Sequence, residues 1–269
     1  YPTVNIKVPS PSKNPPAKKL IVKKTGILYD NDGRLPTYKT SSKTRGEVLI
    51  INNIMFKGEL ERKGAKADDE NLQNLFKQMG FKVSLKRDLK KKDLESSVEN
   101  FSKKLAKSSD ISVVIVMSHG TTNDVWRGTE VFGVDEKGVL TEDLLQYFSG
   151  DKCKNMLNKP KIFIFQCCRG DNEQFIQSDA RPVKRQSRPI GDMLIAYSTL
   201  PGFVSYRNPE SGTWYIQTLC EVFSKHAHEY HVEELLKIVD LELNRFTSSV
   251  AQTSSYENRG FKRCYLHPI

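Results

Sequence analysis

Two short stretches of this chain carry residues that can break a peptide bond. One is Ser118-His119-Gly120 and the other is Gln166-Cys167-Cys168-Arg169-Gly170. A cysteine attacks a carbonyl as its thiolate, and a neighbouring imidazole both generates that thiolate and later returns the proton to the leaving amine. The tetrahedral oxyanion then needs donors, for which the backbone N–H groups of Cys168 and Gly120 are candidates. Both stretches directly follow apolar, β-branched runs, 111–117 (ISVVIVM) and 161–165 (KIFIF). In open α/β sheets ligands bind beyond the carboxyl ends of the strands, so two such ends would bring thiol and imidazole to the same place.

The surrounding pattern supplies that sheet. Residues 47–53 (EVLIINN) read as a buried strand, and Leu72, Leu75, Phe76 and Met79 recur at helical spacing. Asp68, Asp69 and Glu70 fall at the positive end of that helix and Gly80 stops it. Phe81, Val83 and Leu85 alternate as in a half-buried strand, and Leu94, Val98, Phe101 and Leu105 line a second helix. A short helix is expected around Leu144 and Leu145. The polar stretch 170–192 reads as an exposed linker. Beyond it, 193–197 is a strand, Tyr215, Leu219, Val222 and Phe223 mark a helix, and 232–246 mark another. A last strand is expected near 261–266. Alternation of strands and helices predicts an α/β fold with helices on both faces of the sheet.

The chain has 269 residues, 38 % of them hydrophobic, enough for one large core. It lacks an 18-residue apolar run and a secretory signal pattern, so a cytoplasmic protein with no membrane partner is expected. Because it starts at Tyr1, an upstream segment is expected to have been removed. Five cysteines without paired spacing point to a reduced compartment, no metal site and no cofactor. The formal charge is +10, yet residues 1–24 contribute six lysines, five prolines and no acid. That distribution describes an extended basic arm, so nucleic acid is not expected as a partner.

QCCRG with a histidine 49 residues upstream resembles the caspases, whose signature is Q-A-C-[RQG]-G. The likeness extends through RGEVLIINN, MSHG, Asn158-Lys159-Pro160 and VSYRNPESGTWYIQTLC. Cys167 departs from the usual alanine. Both are small, and neighbours on an extended segment face opposite sides, which leaves Cys167 for the core and Cys168 as nucleophile. The resemblance implies a central six-stranded, mostly parallel sheet in one domain. A flexible segment 1–37, a large segment 38–170, a linker 171–191 and a small segment 192–269 would divide the chain. It also implies cleavage after aspartate, with Arg62, Arg207 and Gln166 receiving the carboxylate. Guanidinium forks suit that task. Arg207 would also hold the substrate backbone, and Ser205 would pair with it as an added strand. Val204 and Tyr206 would wall the next subsite, and Asn208 and Trp214 those beyond. Self-processing is expected at Asp179, with Asp32 and Asp192 as further sites.

The box and the 204–220 segment look most like the death-receptor initiator caspases and their insect immune counterparts. A homodimer is implied, with an adaptor platform reached through the missing upstream segment. A weakly active caspase-like scaffold that pairs with an active relative is the alternative. A relative of the same fold cutting after basic residues is a further rival, for which Asp68 and Asp69 are the available acids.

Overall fold

The computed structural model describes residues 20–29, 35–57, 61–123, 128–170, 191–246 and 251–269. At its centre lie β1 (Gly46–Asn52), β2 (Phe81–Arg87), β3 (Ile111–Met117), β7 (Lys161–Gln166), β8 (Met193–Tyr197) and β11 (Ser255–Arg259). They form a six-stranded sheet in the order β11-β8-β7-β3-β1-β2, parallel except where β11 runs against β8. The predicted α/β sheet is thus present.

Period-2 alternation sorts the central strands onto two cores. Val48 and Ile50 of β1, Val113 and Ile115 of β3, and Ile162 and Ile164 of β7 face one side. There they meet α1 (Ala65–Gln78), α4 (Trp214–His226) and α5 (Val232–Leu243). Leu49, Ile51, Val114, Val116, Phe163 and Phe165 face the other side, against α2 (Lys91–Lys104) and α3 (Thr141–Gln146). Because both faces are covered, the strands are apolar throughout, which is why they read as continuous runs in the sequence.

The expected last strand is displaced. The final strand is β11, whose residues Ser-Tyr-Glu-Asn-Arg are polar and half-exposed, as befits a sheet edge. The apolar stretch 261–266 instead wraps over the sheet end: Phe261, Cys264 and Leu266 are buried, while Val232 N–H and Tyr38 N–H donate to the Cys264 and Arg263 carbonyls. Two small sheets were not anticipated. β4 (Gly120–Asn123), β5 (Gly128–Phe132) and β6 (Gly138–Leu140) form one; β9 (Arg207–Asn208) and β10 (Gly212–Thr213) form the other. No helix among the described residues is long and apolar enough to cross a membrane.

Candidate active site

β3 and β7 are hydrogen-bonded neighbours, and Met117 stands opposite Gln166 in their register. The two chemistry-bearing stretches therefore leave adjacent strand ends, with Ser118 N–H still donating to the Gln166 carbonyl at 3.1 Å. Gly120 lies so near the cysteine box that a Cβ there would come within 2.9 Å of both Cys167 Cβ and the Cys168 carbonyl oxygen. Any other residue at 120 would push the two stretches apart. The His119 and Phe56 rings meet in a T-shaped contact, 4.6 Å between centroids at 70°.

Among the cysteines, Cys168 alone is partly exposed; Cys153, Cys167, Cys220 and Cys264 are buried. Burial pushes the Cys167 thiol up to about 12, with the neighbouring Cys168 adding to the rise. Cys168 meets the segment 203–206: Ser205 N–H points at its sulfur at 3.5 Å, and the thiol reaches the Ser205 carbonyl at 3.9 Å. In this state Ser205 thus turns its backbone toward the sulfur. Arg169 anchors the box. Its guanidinium lies 4.0 Å over the Tyr197 ring and donates to Thr129 Oγ1 at 2.8 Å.

Beneath this lies a buried polar hub that the sequence did not reveal. Arg62 has 3 % of its surface exposed and donates to the Asn53 carbonyl at 2.6 Å and Asn52 Oδ1 at 3.4 Å. Asn52 in turn donates to the Ala65 carbonyl and to Asp69 Oδ2, each at 2.7 Å, so the end of β1 fixes the start of α1. Asn53 bonds Phe132 O and Leu89 N–H, tying β1 to the loops around His119. Burial first and the like charge of Arg207 second lower the Arg62 guanidinium to about 10, so the two arginines share one locality. Arg207 itself is exposed.

Gln166 donates through Nε2 to Ser205 Oγ at 2.7 Å, while its Oε1 is buried with no partner. Tyr206 packs on Trp214 at 5.0 Å, and Trp214 stacks on Phe246 at 5.2 Å, forming an aromatic wall. Val204 is half-buried. Asn208 Oδ1 accepts the Glu210 and Ser211 N–H groups, closing the turn between β9 and β10. The acids Asp68 and Asp69 are fully buried: Asp69 pairs with Arg87 at 2.7 Å, and Asp68 accepts the Thr213 N–H. Of the expected processing sites, Asp179 and Asp32 lie outside the described residues. Asp192 precedes the buried Met193 of β8 and accepts Tyr38 Oη at 2.7 Å.

Residues 45–265 match the family model described as caspase domain. Caspase-3 of Bos taurus is 34 % identical over 238 residues, covering 86 % of this chain and 84 % of its own length. Caspase-6 of Mus musculus is 32 % identical over 230 residues, covering 77 % and 80 %. Cell death protein 3 of Caenorhabditis remanei is 30 % identical over 254 residues, 82 % of this chain, and the chain spans about half (48 %) of that relative. The chain belongs to the caspase family of Asp-specific cysteine endopeptidases.

Proposed function

We propose that this chain hydrolyses peptide bonds after aspartate with Cys168 as nucleophile and His119 as proton-transfer partner, as an initiator-type member of its family in cell death or innate immune signalling. The observation that carries the reading is the neighbouring of the β3 and β7 ends. The one partly exposed cysteine and a histidine leave adjacent strands above a buried arginine.

The Cys168 sulfur attacks the scissile carbonyl carbon, and the C=O electron pair moves onto oxygen, where the Gly120 and Cys168 N–H groups receive it. His119, having taken the thiol proton, gives it to the leaving amine as the C–N bond breaks. Water, deprotonated by His119, then attacks the thioester and releases the acid and the thiol. For this to begin, the substrate displaces Ser205 from the sulfur, which frees the Ser205 backbone to pair with the substrate as an added strand.

Arg62, Arg207 and Gln166 receive the aspartate carboxylate. The orphaned Gln166 Oε1 is compatible with that role: a half-turn of the amide would let Ser205 Oγ donate to Oε1 and leave Nε2 as a donor without a partner in the protein. Val204, Tyr206, Asn208 and Trp214 bound the subsites farther along. Segments 38–170 and 192–269 would be separated by processing in the linker 171–191. Asp179 is favoured over Asp192, whose following bond opens a buried strand. The polar outer edge of β11 supports pairing with a second copy, and an adaptor platform would bring copies together.

Fluorogenic tetrapeptides differing only in the residue before the scissile bond test this, under reducing conditions. Turnover confined to aspartate, and lowered roughly a thousandfold or more by Cys168→Ala, is expected. Turnover after arginine or lysine would overturn the pocket. Absent turnover from folded dimer would favour the scaffold reading.

A further inference from the structure

Asp68 is a buried charge that the reaction above does not use. It stands in the first turn of α1 with no exposed surface, and its two carboxylate oxygens accept the Thr213 N–H at 2.9 and 3.2 Å. Thr213 lies directly opposite Arg207 in the β9–β10 pair. Arg62 closes the segment that leads into α1, its backbone carbonyl accepting the Ala65 N–H at 3.0 Å. One carboxylate thus joins the helix that follows Arg62 to the residue paired with Arg207.

The surrounding backbone is shaped to let this contact form. At Gly212, with φ +100°, a Cβ would fall 2.2 Å from Asp68 Oδ1. At Gly64, with φ +81°, it would fall 2.4 Å from the Asn208 carbonyl oxygen. Both positions need the left-handed freedom of glycine, and both lack room for a side chain. Asp68 faces the Arg62 charge, with Asp69 beside it on the same turn and the Cys220 thiol across on α4. Burial pushes its carboxyl up to about 7 against the pull of the Thr213 hydrogen bonds and the Arg62 charge. The Arg62 guanidinium, repelled by Arg207, has Asp68 as its leading stabilising charge.

We propose that Asp68 is a positioning residue that fixes the spacing between Arg62 and Arg207, and thereby the preference for aspartate over glutamate before the scissile bond; this rests on the pocket assigned above. A carboxylate suits the task because both oxygens accept, whereas asparagine keeps the shape but offers one acceptor. Two arginines held at one separation admit an acid of one length. Released, they adjust to an acid one methylene longer.

The test compares kcat/KM for two tetrapeptides ending in aspartate or glutamate, with wild type, Asp68→Asn and Thr213→Val. The valine variant removes the hydroxyl that also bonds Asp68 and approaches the same link from the other strand. Asp68→Asn is expected to cut the aspartate-to-glutamate ratio by about tenfold or more, with kcat on aspartate changed by less than about threefold. Thr213→Val shifts the ratio the same way by less. An unchanged ratio in Asp68→Asn, or in Thr213→Val where the asparagine variant does not fold, overturns the proposal. Equal losses on both peptides also overturn it, since they mark a scaffold residue. A wild type that fails to cut after aspartate, or whose turnover survives Cys168→Ala, refutes the underlying pocket and nucleophile instead and takes this inference with them.

Discussion

Alkylation of the native protein should stop at one equivalent, on Cys168. The other four cysteines each expose 3 % or less of their surface. Burial also opposes their ionisation, and Cys167 provides the sharpest contrast because it adjoins Cys168 in the chain. A thiol at the ordinary value of 9.0 is about one-tenth thiolate at pH 8, whereas one pushed up to about 12 is about one part in ten thousand. The thiolate that reacts with iodoacetamide is therefore about a thousandfold scarcer at Cys167 than at an ordinary free thiol, before counting the opening needed to reach it. Intact mass after iodoacetamide at pH 8 should show one added group, peptide mapping should place it on Cys168, and peptidase activity should fall in step with it. In denaturant all five cysteines should react, and Cys168→Ala should take up none while folded. A second equivalent in the native state, or label shared between Cys167 and Cys168, would refute the opposed facing of the two sulfurs.

Phe163→Ala should lower stability by about 3–5 kcal/mol in a denaturant titration, because the ring is fully buried and packs edge-on against Phe148 at 5.0 Å. Tyr38→Phe should cost about 1 kcal/mol, since it removes the 2.7 Å bond to Asp192 and the acceptor of the Lys262 N–H; a drop in melting temperature checks it. Asp68 also makes stability depend on pH. Its folded carboxyl lies near 7 against 3.8 for the free group, so its contribution is full below about 3.8 and is lost as pH rises through about 7. Between pH 4 and 8 the wild type should therefore lose stability relative to Asp68→Asn, by at most on the order of 4 kcal/mol. Parallel stability curves for the two proteins would remove the buried-charge argument.

Much of the sheet was legible because its central strands are buried on both faces. Val48 to Ile51, Val113 to Met117 and Ile162 to Phe165 have no polar side to show, so they stand out as runs. β11 was hidden for the opposite reason: an edge strand with Glu257 and Arg259 on it looks like loop, and the apolar stretch after it looked like the strand. The strand-end location of His119 and Cys168 followed from those runs. The polar hub did not. Asp68 and Asp69 fit a helix N-terminus, which accounts for acids at that point without any need for burial. Arg87, which pairs with Asp69, lies 18 positions away, and Thr213, which bonds Asp68, lies 145 away. A carboxylate whose partners are that distant carries no local signal of its burial.

The distance of those partners also bears on the proposed processing, because a chain cut between segments 38–170 and 192–269 would keep many contacts across the cut. β8 opens the second segment, and it pairs with β7 of the first along five residues, Lys161 to Phe165. Beyond this ladder, Tyr38 reaches Asp192, Arg259 of β11 pairs with Glu142 of α3, and Asp68 holds Thr213. Both apolar cores draw on both segments: Leu194 and Leu219 share one with Val48 and Leu72, and Ile195 and Tyr197 share the other with Leu49 and Phe163. A break within the proposed linker 171–191 would leave all of these contacts in place. Separation of the segments would instead strip β7 of a parallel neighbour and open both cores at once, and that is a global unfolding rather than a dissociation.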